Sequence, residues 1–138
     1  MNKILLNIKG VKQKTNCCGP ACLSMILSFY GYNVKQSQIK KECQVGRQRG
    51  MYTRQAIAYL KNHGISCSME KKVDIDKYFR KPRPLLLGFE HHFVLMVGLI
   101  NGHIIVIDPA TGRKSIVGRD YLNNVKDYTV IKKITYER

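Results

Sequence analysis

The chain has 138 residues and a formal net charge of +15, from 24 Lys and Arg against 9 Asp and Glu. That length is one domain with room for a hydrophobic core, and no apolar run reaches the roughly 20 residues of a membrane helix. The positive charge favours an acidic partner. Lys and Arg are nevertheless spread along the chain with few aromatics between them, so no nucleic-acid partner is expected.

Met1 to Leu6 is too short for the apolar region of an export signal, and Lys9 interrupts it. With nothing marking export, the five cysteines (17, 18, 22, 43 and 67) read as reduced thiols. Residues 4–8 predict a first strand, and Gly10 to Asn16 a loop that carries Gln13. The stretch from Cys18 to Tyr30 is apolar at almost every helical phase, as a helix buried all round must be. Pro20 suits its first turn and Gly31 its end. Cys18 therefore stands at a helix N-terminus, where the dipole and free N–H groups favour a thiolate.

A second helix fits Ser37 to Cys43, with Ser37 as N-cap. Gln44 to Tyr52 reads as a basic loop holding Gly46, Arg47, Arg49 and Gly50. Thr53 then caps a helix to Asn62 with Ala56, Ile57 and Leu60 inward, stopped by His63-Gly64. Residues 65–71 alternate like a strand, Asp74 to Phe79 form a short helix or turn, and Pro82 and Pro84 stiffen the next loop. The remainder is β: Leu85 to Phe89, His92 to Ile100, Ile104 to Asp108 across the hairpin signal Asn101-Gly102, and 128–134. Helices first and an antiparallel sheet afterwards is an α+β pattern.

A thiolate needs a base, and the base needs an orienting group. His63 lies at a helix end and His103 beside an exposed turn, whereas His92 opens a buried strand. Asp108 closes the apolar run Ile104 to Ile107 and precedes Pro109. It reads either as a turn initiator or as the carboxylate that fixes the His92 tautomer. A plain two-residue turn at 101–102 would put position 108 opposite 95 and set the two side chains on opposite faces. A three- or five-residue loop, or a bulge, would put them on one face.

Three blocks now stand in order: Cys18-Gly19-Pro20-Ala21-Cys22 with Phe29-Tyr30-Gly31, then His92-Phe93-Val94-Leu95, then Ile107-Asp108-Pro109-Ala110-Thr111-Gly112. Together they resemble the bacteriocin-processing cysteine peptidases, papain-like domains at the cytoplasmic N-terminus of peptidase-containing ABC transporters. The resemblance covers residues 8–125. It implies a papain-like α+β fold, with the nucleophile's helix packed on the C-terminal sheet. It also implies Cys18 as nucleophile, His92 as general base and acid, Asp108 as orienter, and Gln13 as oxyanion donor. The implied substrate is a precursor peptide with an acidic and apolar helical leader, cut after Gly-Gly or Gly-Ala. An ABC transporter membrane domain is the implied partner, and the inner face of the cell membrane the implied location.

The chain departs from the family pattern twice. Gln13 stands five residues before Cys18 where the family usually has six, and Cys17 replaces the usual acid, removing a charge that would disfavour the thiolate. Cys17, Cys18 and Cys22 could also suggest zinc, but no second cysteine knuckle follows. No metal or cofactor is expected. A transporter docking module that no longer cuts its cargo, or a papain-like effector protease, are the other readings. Retention of Cys18, His92 and Asp108 favours an active peptidase.

Overall fold

A computed structural model describes residues 3–14, 17–45 and 51–134. Gly46, Arg47, Arg49 and Gly50 of the expected basic loop, and Asn16 before the first helix, lie outside the described residues. The helices are α1 (Cys18–Phe29), α2 (Gln36–Glu42), α3 (Thr53–Asn62) and α4 (Ile75–Tyr78). The strands are β1 (Lys3–Leu5), β2 (Ile65–Glu70), β3 (Leu85–Gly88), β4 (Phe93–Ile100), β5 (His103–Asp108), β6 (Arg113–Val117) and β7 (Asp127–Ile134), with a 3₁₀ segment at Arg119–Asn124. The expected α+β architecture is what forms.

α1 is the buried helix its composition demands. Ala21 to Leu23 and Met25 to Leu27 are fully enclosed, and the helix packs against β4, α2 and α3. Each large apolar side chain placed there contributes about 1.5–3 kcal/mol. Pro20 is the third helical residue, still within the first turn, where its missing N–H forfeits no intrahelical bond. The helix ends with Tyr32 N–H on the Leu27 carbonyl, Gly31 N–H on that of Ser28, and Gly31 at φ +91°.

Two expected caps differ from what is built. α2 begins at Gln36 with Lys35 as its flanking residue, and Ser37 makes no cap. The Gln36 side chain instead turns away into a tertiary contact. α3 begins at Thr53, but the N–H of the residue before it is served from Gln55, whose Oε1 accepts from Tyr52 N–H at 2.6 Å. The Thr53 hydroxyl donates to Asp127 at 2.8 Å, tying α3 to β7. Ala56, Tyr59 and Leu60 form the buried face, with Ile57 only half-buried.

The strands make one antiparallel sheet ordered β2-β7-β3-β4-β5-β6, with β1 added beside β4. β4 is the axis of this sheet. Residues 93–96 pair with β3, and residues 98–100 pair with β1. Between those partners lies Val97, skipped by the β5 ladder, whose carbonyl accepts from Leu6 N–H at 2.9 Å. Val97 is therefore a β-bulge at the place where β4 changes partners. β6 was not expected, because its residues are almost all exposed and show no apolar alternation.

β1 approaches β4 closely enough that a Cβ on Gly98 would collide with the Ile4 carbonyl, so β1 docks only against glycine. Gly98→Ala is expected to cost about 1–3 kcal/mol of stability as β1 is pushed off. Urea unfolding of both proteins checks this. An unchanged midpoint would mean that β1 contributes nothing to the sheet.

Candidate active site

The β4–β5 hairpin has a two-residue turn, Asn101-Gly102, with Ile100 opposite His103 and φ of +48° and +82° at the two turn residues. Taken alone, that turn would separate His92 from Asp108. The bulge at Val97 corrects it: Leu95 pairs with Ile107, so Asp108 falls opposite Val94. The neighbouring position on the same face, two residues along, belongs to His92. The bulge, rather than a longer loop, is the device that brings them together.

His92 Nε2–H donates to Asp108 Oδ1 at 2.8 Å. The same oxygen accepts from Ala110 N–H at 2.9 Å, and the Asp108 carbonyl accepts from Gly112 N–H at 2.8 Å. Asp108 is thus a turn initiator and a histidine partner at once. The turn holds the carboxylate, which in turn holds the ring. His92 itself sits in the turn between β3 and β4, where its carbonyl accepts from Phe89 N–H at 2.8 Å.

Cys18 lies against the same imidazole, and the interaction between the two side chains shifts both of them. Burial by itself would push the Cys18 thiol up. The hydrogen bond to His92, backbone N–H groups of Phe93 and Gly19, and the histidine's charge outweigh it and hold the thiol below its ordinary value. His92 is raised to about 9, mostly by its bond to Cys18 and then by Asp108, against the opposing effect of burial. The arrangement shifts the pair toward thiolate and imidazolium. No acid stands in the first turn of α1 to disfavour it.

The other thiols with resolved shifts go the opposite way. Cys22 is fully enclosed and pushed well up by burial, then by the charges of Cys18 and Asp108. Burial likewise lifts Cys43 and Cys67 to about 11. Cys17 is buried, at 2 % exposure. No disulfide joins any of the five, and no three metal-binding side chains converge among the described residues.

Gln13 lies in the strap that follows β1. Its N–H donates to the Pro109 carbonyl at 2.6 Å, which sets it beside the Asp108 turn. Its side-chain Oε1 is buried and meets no partner, an uncommon state that costs about 1–3 kcal/mol when left unmet. His63 Nδ1–H donates to the Tyr59 carbonyl at 3.0 Å at the C-terminus of α3, and His103 is exposed beside its turn. Neither joins the site. Tyr121, in the 3₁₀ segment, is raised by burial and then by the charge of Asp108, and stacks edge-on with Phe89 at 5.6 Å. Sequence reasoning missed it, as it missed the Phe93 N–H, because nothing in spacing marks a main-chain donor or a lone tyrosine.

A family model described as the Peptidase C39 family matches residues 8–135. The chain belongs to that family. No curated protein sequence matches it significantly. Among solved structures, the chain is similar to a double glycine motif protease from an AMS/PCAT transporter in complex with the leader peptide, at TM-score 0.78 and 20 % identity, over 93 % of each chain. It is also similar to the peptidase domain of Streptococcus ComA, a bi-functional ABC transporter, at TM-score 0.78 and 18 % identity, over 91 % of this chain and 98 % of that one. The Streptococcus mutans ComA peptidase domain follows at 0.69 and 16 %, over 91 % and 99 %. At these identities the likeness is one of fold. The resemblance seen in the motif blocks and the C39 match agree.

The His92 shift is directly measurable. In an NMR pH titration the His92 ring should titrate near 9, and Asp108→Asn or Cys18→Ala should bring it down toward the ordinary 6.5. A ring that titrates near 6.5 in the parent protein would show that the three groups are not coupled.

Proposed function

We propose that this C39 family member is a cysteine endopeptidase that removes the leader from a precursor peptide after a Gly-Gly or Gly-Ala pair. The observation that carries the reading is the chain of contacts from Cys18 through His92 to Asp108, in which the thiol is held low and the imidazole high. The leader peptide bound to the similar double glycine motif protease supports the substrate class.

The Cys18 thiolate attacks the carbonyl carbon of the second leader glycine, forming the C–S bond and a tetrahedral oxyanion. The Cys18 N–H at the start of α1 and the Gln13 side-chain amide donate to that oxygen. Rotation of the Gln13 amide exchanges its O and N positions, so the unpartnered buried site in the structure is one that Nε2 can occupy. Each such donor contributes roughly 3–4 kcal/mol to the transition state. The His92 imidazolium then protonates the leaving amine as the C–N bond breaks, leaving a thioester. The neutral imidazole takes a proton from water, which attacks the thioester and frees the leader carboxylate and Cys18. Asp108 keeps the ring in place throughout and stabilises its charged form.

Selectivity for glycine follows if the subsites on either side of Cys18 reject side chains by clash. The +15 chain suits a leader with acidic and apolar residues. Among the described residues no helix is long and apolar enough to cross a membrane. We assign the peptidase to the cytoplasmic face of the membrane, where the membrane part of an ABC transporter would receive the freed peptide.

With a Gly-Gly leader peptide as substrate, Cys18→Ala should abolish cleavage and Cys17→Ala should leave it in place. Gln13→Ala should lower kcat by about 10²–10³ with little change in KM. Mass spectrometry of the products locates the cut. Cleavage that depends on Cys17 and survives Cys18→Ala would overturn the assignment. An association rate indifferent to salt would remove the electrostatic part.

A further inference from the structure

Gln36 is a buried polar side chain, 6 % exposed, with no place in the reaction just described. Its Nε2–H donates to the Lys12 carbonyl at 2.9 Å, and its Oε1 accepts from Lys14 N–H at 3.0 Å. Those two main-chain groups bracket Gln13. In an extended chain the carbonyl of one residue and the N–H two positions later face the same side, and the N–H of the residue between them faces the other. That middle N–H is the one on Pro109. The strap 12–14 is therefore held along both edges, as a central strand would be: by the Asp108–Pro109 turn on one side and by a single side chain on the other.

We infer that Gln36 is the positioning residue for the oxyanion donor, fixing the backbone of the strap so that the Gln13 amide is presented to the reacting carbonyl. This rests on the peptidase reading above. A carboxamide can serve a C=O and an N–H together in this way, and Gln carries it on a side chain one methylene longer than that of Asn. Glu keeps the bond to Lys14 N–H but turns a second acceptor toward the Lys12 carbonyl, and Met makes neither bond. A Cβ on Gly10 would strike the Gly112 carbonyl, so the strap reaches the Asp108 turn by close backbone approach. An oxyanion donor displaced by a fraction of an ångström loses most of its effect.

The test compares Gln36→Glu and Gln36→Met with the parent protein in three measurements: steady-state cleavage of a Gly-Gly leader peptide, alkylation of Cys18 by iodoacetamide, and hydrogen exchange of the Lys14 amide. Alkylation needs the thiolate and builds no oxyanion. The expected result is kcat lower by roughly ten- to a hundredfold, KM and alkylation rate unchanged, and faster exchange at Lys14. On a Gln13→Ala background, Gln36→Glu should cause no further loss, because the two act through one donor. Unchanged kcat, a loss additive with Gln13→Ala, or a fall in alkylation that tracks the fall in cleavage would each overturn the inference. The last of these includes a variant that does not fold, and would mean that Gln36 serves stability alone. A parent protein that alkylates at Cys18 but cuts no Gly-Gly peptide is a different result, which removes the peptidase reading itself.

Discussion

An imidazole and a carboxylate on neighbouring antiparallel strands can meet only when both point to the same face of the sheet. Here that parity hangs on one residue. The Asn101-Gly102 turn closes the β4–β5 hairpin in the out-of-phase register, and the extra residue Val97 restores the phase for everything beyond it. The bulge is held where it is because β4 must change partners there, from β3 to β1, and because the Leu6 N–H takes the carbonyl that the ladder leaves over. The N-terminal strand thus bears on a contact formed far from it in sequence.

The thiol side of the site obeys a different constraint. A sulfur enclosed to the extent of Cys18 would ordinarily keep its proton, as Cys22, Cys43 and Cys67 do. What distinguishes Cys18 is the number of donors gathered on it: an imidazole from before β4, the N–H of Phe93 from the start of that strand, and the N–H of Gly19 from its own helix. The helix start alone does not lower the pKa, since burial is the largest influence and acts the other way. The lowered value belongs to α1 and β4 together.

Around this pair the tertiary structure uses polar side chains sparingly and each for several contacts. Asp108 Oδ1 serves His92 and Ala110, Gln36 serves both sides of the strap at Gln13, and Thr53 reaches from α3 to Asp127 on β7. A basic chain with only nine carboxylates has few such anchors. Two of them, Asp108 and Asp127, lie at strand ends in the antiparallel sheet. The positive charge is left largely on the surface, where the proposed acidic leader would meet it.

The elements that could be read from sequence were those whose own composition pays a large penalty for any alternative. α1 is apolar at almost every phase and punctuated by Gly31; α3 and α4 keep their predicted spans to within a residue or two, and Asn101-Gly102 announces its turn. The thiol, the histidine and the carboxylate were legible for the same reason: each is a chemically rare residue at the end of a strongly patterned element. β6 was not, because an exposed edge strand needs no apolar alternation. Nor were the cap at Gln55 and the clamp at Gln36, where a nearby Ser or Thr suggested a local bond and the backbone found a better partner elsewhere. The meeting of His92 with Asp108 was decided only in three dimensions, because a bulge is a compromise between the hydrogen-bonding needs of three strands and leaves no mark in any one of them.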